Sequence, residues 1–480
     1  MSDRLKTDWP GLLAVLLALA VFASVCGHEF LSWDDATYVA GNPALANPTL
    51  ASLASIWKHP EPGLYIPLPY TLWWGIAQVA QVRESGAWAL NPQLFHAANW
   101  LLHGLFVWLV YRLLRRLNLS PRPAGIGAAI MAVHPLAVET VAWTMGLRDE
   151  LAAIFAVGTL LLTTRRRYWP AAGVMLLAVL SKPTAIMVWP MAIAVDAFLA
   201  GEIRPALKRS WPLAIVAGVG VLLTQLGDQS IHPDVSRLWQ RPLIATDALA
   251  FYLVKAVAPY PLAFDYARSP AAIFASGQAW WTWLLPAAVT GMLFWVRSRF
   301  AWLAAGLFAL PLLPVLGLIP FSFESLSTVA DHYAYLSLLG VALAVGGACQ
   351  QWGKPAAVVA GGMIVCFTTL SVRQTAGWAD NLTFFTFMTR QNPRSGPAWD
   401  GLARTRLAAG DLPAADDAAA RAIAANPDYA LARLTAAQIK FRRGDRPAAE
   451  AQLDELERIY ARQKNFDPAL FAGVRAKLER

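Results

Sequence analysis

The sequence predicts an all-α protein: a polytopic transmembrane helical bundle of about 11 spans, followed by a small C-terminal helical repeat domain. Three observations support this. Of the 480 residues, 57% are hydrophobic and only 15% are charged, whereas a soluble domain is about a quarter charged. Apolar stretches long enough to cross a bilayer recur along residues 1–372. After Arg373 the composition changes to Ala, Asp, Arg and Gly, and short motifs recur at a fixed interval.

The apolar stretches define the expected spans. They are residues 10–29, 94–114, 123–142, 150–164, 168–181, 184–200, 211–227, 279–296, 300–320, 332–350 and 355–372. The first resembles a signal peptide, because Arg4 and Lys6 precede an apolar run. That run is long, and the sequence after it stays membrane-embedded, so we expect an uncleaved first transmembrane helix.

Basic residues between the spans orient the bundle, because positive charge concentrates in cytoplasmic loops. With a cytoplasmic N-terminus, the basic loops fall inside, around residues 112–122, 165–167, 204–209 and 297–299. The last of these falls inside only if the apolar segment 245–262 does not cross the membrane. We therefore expect that segment to lie on, or dip into, the outer face. The C-terminus is then extracytoplasmic. The outer loops are 30–93, 143–149, 181–183, 228–278 and 321–331.

The C-terminal region contains a sequence repeat. Asn392-Pro393 recurs as Asn426-Pro427, and Gly410-Asp411 recurs as Gly444-Asp445, both after 34 residues. This interval is typical of tetratricopeptide repeats, which form an α-solenoid. Two interpretations stay open: helix pairs that prop against the membrane domain, or a groove that binds a protein partner. The predicted domains are a transmembrane domain (1–372), a linker or amphipathic segment (373–397) and an extracytoplasmic repeat domain (398–480).

Several function classes have no support in the sequence. The net charge of +9 comes from short basic runs between spans, which act as topology signals, so nucleic-acid binding is not predicted. The three cysteines are scattered in apolar segments without metal-ligand spacing. The sequence has no P-loop, GxGxxG, HExxH or GxSxG motif, so nucleotide chemistry, zinc hydrolysis and serine hydrolysis are not indicated.

The first candidate site lies directly after the first span, in "SWDDATYVAGNP". Asp34 and Asp35 are adjacent carboxylates that repel each other, which tends to raise one pKa. A carboxylate with a shifted pKa can serve as a general base. The alternative is a helix end followed by an ordinary solvated loop.

Further polar residues lie near the outer ends of later spans. His96 is part of a polar stripe on one helix face, for which interhelical hydrogen bonding is the alternative to catalysis. His134 and Glu139 end the third span, and Arg148 and Asp149 begin the fourth. Ionisable residues this dense at span ends indicate a site, although a self-neutralising pair of Arg148 with Asp149 or Glu139 is also open.

The remaining candidates lie in three later outer segments. Lys182, on the tight turn "LSKPT", is a single cation suited to a phosphate or lipid headgroup, or one that extends to the interface. The other two segments are "ADHYAYL", with Asp331, His332 and Tyr333, and "FDYARSP", with Asp265 and Tyr266. None of these motifs is decisive alone. Their convergence on one face of the membrane predicts a site there.

Taken in order, these motifs resemble a known family. The series "SWDD", "YIPLPY", "NPQLFHAANWLLH", "HPLAVETVAW…RDE", "SKPT", "FDY" and "ADHYAYL", closed by tetratricopeptide repeats, is similar to the transmembrane and tetratricopeptide-repeat-containing O-mannosyltransferases and their bacterial relatives. These are glycosyltransferases of the GT-C fold. The resemblance implies an enzyme in the bacterial inner membrane, with its site and its repeats on the periplasmic side.

The resemblance also implies roles for residues. Asp34 or Asp35 matches the acidic pair that deprotonates the acceptor hydroxyl, and Arg148 and Lys182 match positions able to hold the donor phosphate. The implied partners are a polyprenyl-phosphate sugar donor, membrane lipids and a protein or glycan acceptor. A single displacement would invert the anomeric carbon. The scheme requires no cofactor, while the paired carboxylates leave a divalent metal open.

Two other functions compete with glycosyl transfer. A non-enzymatic membrane scaffold could recruit envelope partners through the repeat domain, but it does not need clustered carboxylates and cations. A flippase or transporter for a lipid-linked sugar should show polar residues near mid-span and inverted repeats, and neither is clear in the sequence. Glycosyl transfer is therefore the predicted function, with the scaffold as its alternative.

Overall fold

The protein is a helical bundle in a computed structural model that describes residues 2–59, 65–84, 87–224 and 236–461. Nearly all described elements are helices, which confirms the predicted all-α class. The one sheet among these residues is an antiparallel hairpin of β1 (Gln81–Glu84) and β2 (Ala87–Leu90) in the first outer loop.

The first half of the chain builds twelve α-helices. They are α1 (Ser2–Phe22), α2 (Pro43–Ala46), α3 (Leu50–Lys58), α4 (Pro67–Ala80), α5 (Pro92–Arg116), α6 (Pro121–Ala132), α7 (Val138–Ala142), α8 (Leu147–Thr163), α9 (Tyr168–Ser181), α10 (Val188–Ala200), α11 (Ile203–Arg209) and α12 (Trp211–Thr224). Helix α5 shows how the sequence sets such bounds. The Asn91 side chain caps its first turn, Pro92 occupies the first helical position, and Arg115 and Arg116 lie in its last turn.

The second half of the chain completes the bundle and then forms the C-terminal helices. Its helices are α13 (Arg241–Val257), α14 (Pro270–Ala275), α15 (Leu284–Val296), α16 (Arg299–Ala309), α17 (Leu338–Trp352), α18 (Lys354–Ala376), α19 (Asn381–Gln391), α20 (Gly396–Ala408), α21 (Leu412–Ala425), α22 (Ala430–Arg442) and α23 (Arg446–Ala461). Glycines allow the bundle helices to approach closely. A Cβ at Gly127 of α6 would lie 2.3 Å from the Ala342 carbonyl oxygen of α17, so only glycine fits there.

Several helices are long and apolar enough to cross a membrane, which supports an integral membrane protein. Among the described residues there are five: Asp8–Gly27, Pro92–Arg116, Pro183–Ala200, Gln278–Val296 and Lys354–Ala376. Two bent pairs, Pro121–Ala132 with Pro135–Ala142 and Ile203–Arg209 with Trp211–Thr224, raise the number to seven. Tyr168–Ser181, Arg299–Val315 and Leu338–Trp352 are shorter apolar helices. The figure of eleven spans therefore stays a prediction.

Helix α13 contains most of the apolar segment with the ambiguous topology. Its Tyr252 hydroxyl donates to the Ala330 carbonyl at 3.0 Å and accepts from the Ala330 N–H at 3.1 Å. The helix is thus bonded to the loop that precedes α17, which was assigned to the outer face. Its position relative to the membrane stays a prediction.

The C-terminal helices form two antiparallel pairs, α20 with α21 and α22 with α23. Gly410 and Gly444, 34 residues apart, end the first helix of each pair with φ of 80° and 79°. Ala415 and Ala422 are buried, as expected of small residues between paired helices. The tetratricopeptide assignment, the domain boundaries and the role of the last helices stay predictions, and residues 462–480 lie outside the described part of the chain.

The hydrophobic core runs from the bundle through α20 and α21 to α22, while Ala437, Leu453 and Leu456 form a separate cluster between α22 and α23. Phe384 and Phe385 of α19 are fully buried in the same cluster as Phe22 of α1 and Ala415 of α21. Helix α19 lies in the segment 373–397, predicted as a linker or amphipathic segment, and it packs one face into this core. The C-terminal helices therefore lie against the end of the bundle that carries Asp34.

Candidate functional site

The two aspartates after α1 have different surroundings. Asp35 is fully buried, its Oδ2 accepts a hydrogen bond from the Leu31 N–H at 3.0 Å, and burial raises its pKa to about 7. Asp34 is half-buried, and its carboxylate makes no hydrogen bond within the described part of the chain. Burial raises the pKa of Asp34 and the nearby Arg148 guanidinium opposes that rise. Asp34 therefore has the open carboxylate.

Arg148, Asp149 and Lys182 form a compact charged centre. Arg148 and Asp149 belong to the first turn of α8, and Lys182 follows the last residue of α9. The Lys182 ammonium donates to Asp149 Oδ1, and the Arg148 Nε lies 3.6 Å from Asp149 Oδ2. Burial raises the pKa of Asp149, but Lys182 and other nearby positive charges outweigh it, so the pKa is lowered overall. Burial lowers the pKa of Lys182, and Asp149 opposes that change.

Aromatic rings line the space beneath the two cations. The Arg148 guanidinium lies 5.3 Å from the centre of the Trp143 ring, and the Lys182 ammonium lies 5.3 Å from the Tyr333 ring. The His332 ring lies edge-on to Tyr333 at 4.3 Å and 5.7 Å from Trp143. Cations over aromatic faces are attracted by the negative face of the ring. The Trp143 and Tyr333 rings thus help to hold the two cations in place.

Glu139 and His332 make a second polar pair next to this centre. Glu139 Oε1 bonds the His332 Nδ1 at 2.9 Å, and Oε2 accepts from the His332 backbone N–H at 3.1 Å. Because both oxygens of Glu139 bond to His332, the side chain of Glu139 fixes the orientation of the imidazole ring. Of the two ion pairs that the sequence left open for Arg148, the one with Glu139 is not formed, because Glu139 bonds His332 instead.

Asp331 and Tyr266 form a third pair. The Tyr266 hydroxyl donates to Asp331 Oδ1 at 2.6 Å. Burial, and then the nearby Glu139 carboxylate, raise the pKa of Asp331 well above its ordinary value. Burial and the charge of Asp331 likewise raise the pKa of Tyr266. Both shifts favour the protonated, uncharged forms of the buried acid and the phenol, next to the charged centre.

Three predicted site residues make their contacts elsewhere. His96 bonds the Glu29 carbonyl at 3.2 Å and the Thr144 hydroxyl at 3.4 Å. His134 bonds the Ala256 carbonyl at 3.1 Å and accepts from the Leu136 N–H at 3.2 Å. For His96, these bonds between segments agree with the alternative to catalysis, hydrogen bonding within the bundle.

Asp265 is the third of these residues, and it faces the C-terminal helices. Its Oδ2 accepts from the Ser395 hydroxyl at 2.7 Å, its Oδ1 accepts from the Ala267 N–H at 2.7 Å, and its carbonyl accepts from the Asn392 amide at 2.8 Å. Burial raises its pKa and these bonds oppose the rise. Within the described residues Asp265 makes no contact with Arg148 or Lys182. It instead links its own loop to the segment before α20, through Asn392 and Ser395.

Two residues of the site were not singled out from the sequence. Trp143 supplies the ring beneath Arg148. Lys255 of α13 donates to the Pro261 carbonyl at 2.7 Å and lies 5.9 Å from the Tyr266 ring, where it experiences the charge of Asp331. A single lysine in an apolar helix was the available indication for Lys255, because such a cation is costly without a partner.

No cluster of three or more His, Cys, Asp or Glu side chains suited to a metal ion occurs in the described ranges. A cavity of ≈ 950 Å³ lies between α13, α15, α16 and α17. Its lining is mainly apolar and includes none of the predicted site residues. The polar centre and this apolar cavity are therefore separate features of the bundle.

Comparison with known proteins gives three similarities. Residues 68–226 match the family model described as Dolichyl-phosphate-mannose-protein mannosyltransferase. The chain is 28% identical to the human (Homo sapiens) Protein O-mannosyl-transferase TMTC4 over 32% of its own length, and 26% identical to the mouse (Mus musculus) protein of the same name over 31%. Both matches span only 22% of the curated relative.

The third similarity is to a solved structure. The Archaeoglobus fulgidus oligosaccharyltransferase, tethered with an acceptor peptide, aligns with 83% of this chain and 59% of its own at 13% identity. The TM-score is 0.41, which is too low to establish a shared fold.

The family match covers part of the site. Residues 68–226 include Glu139, Arg148 and Lys182, but not Asp34 or Asp331. The family model and the two curated proteins are all mannosyltransferases, and these matches confirm the resemblance found in the sequence motifs: over the matched residues the chain is similar to protein O-mannosyltransferases.

Proposed function

We propose that the chain is a membrane glycosyltransferase. It takes a sugar from a polyprenyl-phosphate donor and transfers it to a hydroxyl of a protein or glycan acceptor. The observation that carries the proposal is the open carboxylate of Asp34 near the Arg148 guanidinium, beside the buried Lys182–Asp149 pair. A base and a phosphate-binding cation close to each other are what this reaction needs.

Asp34 is the proposed base. As the acceptor oxygen bonds to the anomeric carbon, its proton moves to the Asp34 carboxylate. The bond between that carbon and the phosphate oxygen breaks, and its electron pair leaves with the polyprenyl phosphate. This single displacement inverts the anomeric carbon. Asp35 does not take this role in the proposal, because it is fully buried and its Oδ2 is engaged by the Leu31 N–H.

Arg148 is the proposed phosphate ligand. Its contact with Asp149 is long, at 3.6 Å, and its guanidinium is held over the Trp143 ring. A guanidinium can bind phosphate oxygens through two parallel N–H bonds. Lys182 offsets the charge of Asp149 through a direct bond, and its ammonium is proposed as the second cation that stabilises the leaving phosphate.

The proposed setting is the bacterial inner membrane, with the site and the C-terminal helices on the periplasmic face. Short basic loops at the opposite ends of the predicted spans support this orientation. Reporter fusions at the C-terminus and in the loop 165–167 test it. The proposal expects an extracytoplasmic C-terminus and a cytoplasmic loop, and the reverse pattern would contradict it.

The activity test uses purified protein in proteoliposomes, with a panel of polyprenyl-phosphate sugars and envelope protein or glycan acceptors. The proposal expects transfer from at least one donor, loss of transfer in Asp34→Asn, and no loss when a chelator is added, because the scheme uses no cofactor. Transfer that requires an added divalent metal would change the scheme. Complete absence of transfer from every donor would favour the membrane scaffold instead.

A further inference from the structure

The chain segment that carries Asp34 is bonded to a helix almost 350 residues later in the sequence. Asn381, the first residue of α19, uses both ends of its side-chain amide. Its Oδ1 accepts from the Ser32 N–H at 2.6 Å, and its Nδ2 donates to the Phe30 carbonyl at 3.3 Å. The amide thereby pairs with the backbone of two alternate residues, as a neighbouring strand would.

Two more backbone groups in this segment are fixed. The Glu29 N–H donates to the Ala379 carbonyl at 2.9 Å, immediately before α19. The Leu31 N–H donates to the Asp35 carboxylate at 3.0 Å. The N–H groups of Glu29, Leu31 and Ser32 are therefore all bonded, so the backbone leading to Asp34 has little freedom.

Helix α19 is itself held firmly against the bundle. The Asp380 side chain caps it by accepting from the Thr383 N–H at 2.8 Å and the Thr383 hydroxyl at 2.7 Å. The Phe384 ring packs against Phe264 at 5.3 Å, and Phe264 in turn packs against Trp33 at 4.6 Å. Trp33 is the residue before Asp34, so aromatic packing and hydrogen bonds hold the same segment.

We propose that Asn381 is a positioning residue of the transferase, through which the C-terminal part of the chain sets the location of Asp34. This inference rests on the proposed function, because it assigns Asp34 as the base. It also favours the first of the two interpretations of the C-terminal helices, that they prop against the membrane domain. Asn381 makes no contact with the reacting groups and acts through the backbone of residues 30–32.

The physical reason is the precision that proton transfer requires. A base must lie within hydrogen-bond reach of the proton that it removes. A displacement of about 1 Å in a reacting group can lower the rate about 100-fold. Without the Asn381 amide, the Ser32 N–H and the Phe30 carbonyl would turn to water or to other partners. The carboxylate two residues later would then sample more positions.

Asn381→Ala tests the inference, with Asn392→Ala as its matched control. Asn392 also bonds through its side-chain amide from α19 to an outer segment, but to the Asp265 carbonyl at 2.8 Å and not to the Asp34 segment. We expect Asn381→Ala to lower kcat about 10- to 100-fold with little change in the KM for the donor. Asn392→Ala should keep kcat, at a similar melting temperature.

Two further measurements separate positioning from a general loss of structure. Hydrogen exchange should accelerate in a peptide that covers residues 29–35 in Asn381→Ala and not in Asn392→Ala. The double variant Asp34→Asn with Asn381→Ala should be no slower than Asp34→Asn alone, because a displaced base and a missing base fail in the same way.

The outcomes are distinct from those of the activity proposal. Unchanged exchange at residues 29–35 in Asn381→Ala would overturn the positioning role, whatever the enzyme does. A loss of kcat that multiplies the effect of Asp34→Asn, or that equals the effect of Asn392→Ala, would also overturn it. Unchanged transfer in Asp34→Asn would instead overturn the assigned base, and the positioning role with it.

Discussion

Replacing Lys182 with methionine should separate the stability of the charged centre from its activity. Lys182 and Asp149 are both buried, with side chains 14% and 5% exposed, and they bond directly. Removing one partner of a buried ion pair costs about 3–5 kcal/mol, because the other charge stays buried without compensation. Lys182→Met should therefore destabilise the protein, and it should also abolish transfer if the cation helps the leaving phosphate.

Arg148 reduces the loss of stability that Lys182→Met causes. Its Nε lies 3.6 Å from Asp149, and at an effective dielectric constant of about 20 two unit charges at that distance attract by about 4.6 kcal/mol before desolvation. Arg148 can thus take over part of the compensation, so we expect about 3 kcal/mol for Lys182→Met, at the low end of the range. In Lys182→Met, a movement of the Arg148 guanidinium towards Asp149 would also draw it away from the proposed phosphate position.

The assay is a double-mutant cycle with Asp149→Asn. Each single variant leaves an uncompensated charge, whereas the double variant Lys182→Met with Asp149→Asn leaves a neutral pair of similar volume. Thermal unfolding in detergent should show that the double variant recovers stability, with a coupling of about 2–3 kcal/mol. Transfer should not recover, since the cation is still missing. Additive losses of stability, or recovered transfer, would refute the reasoning.

Three other outcomes follow from the surroundings of the acids. Asp34→Asn should lower kcat about 100- to 10,000-fold in the transfer assay, and an equal loss with unchanged stability in Asp35→Asn would argue against assigning the base to Asp34 alone. Burial raises the pKa of Asp35 from 3.8 to about 7. Between these two pH values the folded protein therefore holds a proton on Asp35 that the unfolded chain has lost. Stability should fall as pH rises from about 4 to about 7, and melting curves of Asp35→Asn should show a flatter profile. Tyr266→Phe should destabilise by about 1–3 kcal/mol, because Asp331 loses its 2.6 Å hydrogen bond; an unchanged melting temperature would contradict this.

That Arg148 and Lys182 lie close together could be predicted from the sequence. Both lie in short turns, and the positions of the basic loops assign these turns to the same face of the membrane. A bundle brings such turns together, and the structure places them around Asp149. The choice of partners could not be predicted. The sequence left an Arg148–Asp149 or Arg148–Glu139 pair open, and the structure contains the first, at 3.6 Å. The sequence did not indicate that Asp149 also bonds Lys182 or that Glu139 bonds His332. Spacing along a chain says which end of a helix a side chain occupies, but not which way it turns.

Asn381 shows a second kind of contact that could not be predicted from the sequence. Its two bonds join a side chain to main-chain groups 349 and 351 residues away, and main-chain groups have no residue type that a sequence pattern could record. Asp265 shows the reverse case. It precedes Tyr266 in "FDY", one of the motifs on which the family resemblance rests, but its side chain bonds Ser395. The two adjacent side chains have different partners, Asp331 for Tyr266 and Ser395 for Asp265, so one motif supplies both a site residue and a link to the C-terminal helices.

The adjacent aspartates can now be given separate physical roles. Asp35 closes the turn through the Leu31 N–H, and with a pKa of about 7 it is largely neutral in mildly acidic conditions. In that state it adds no negative charge beside Asp34, so Asp34 can ionise near Arg148 without repulsion from its neighbour. As pH rises through 7, we expect Asp35 to become charged and to repel Asp34, which would make Asp34 a stronger base in the proposed reaction. The pair therefore couples the fold of the turn to the basicity of its open member, and Asp35→Asn should remove that coupling from the pH profile of transfer while leaving the Asp34 carboxylate in place.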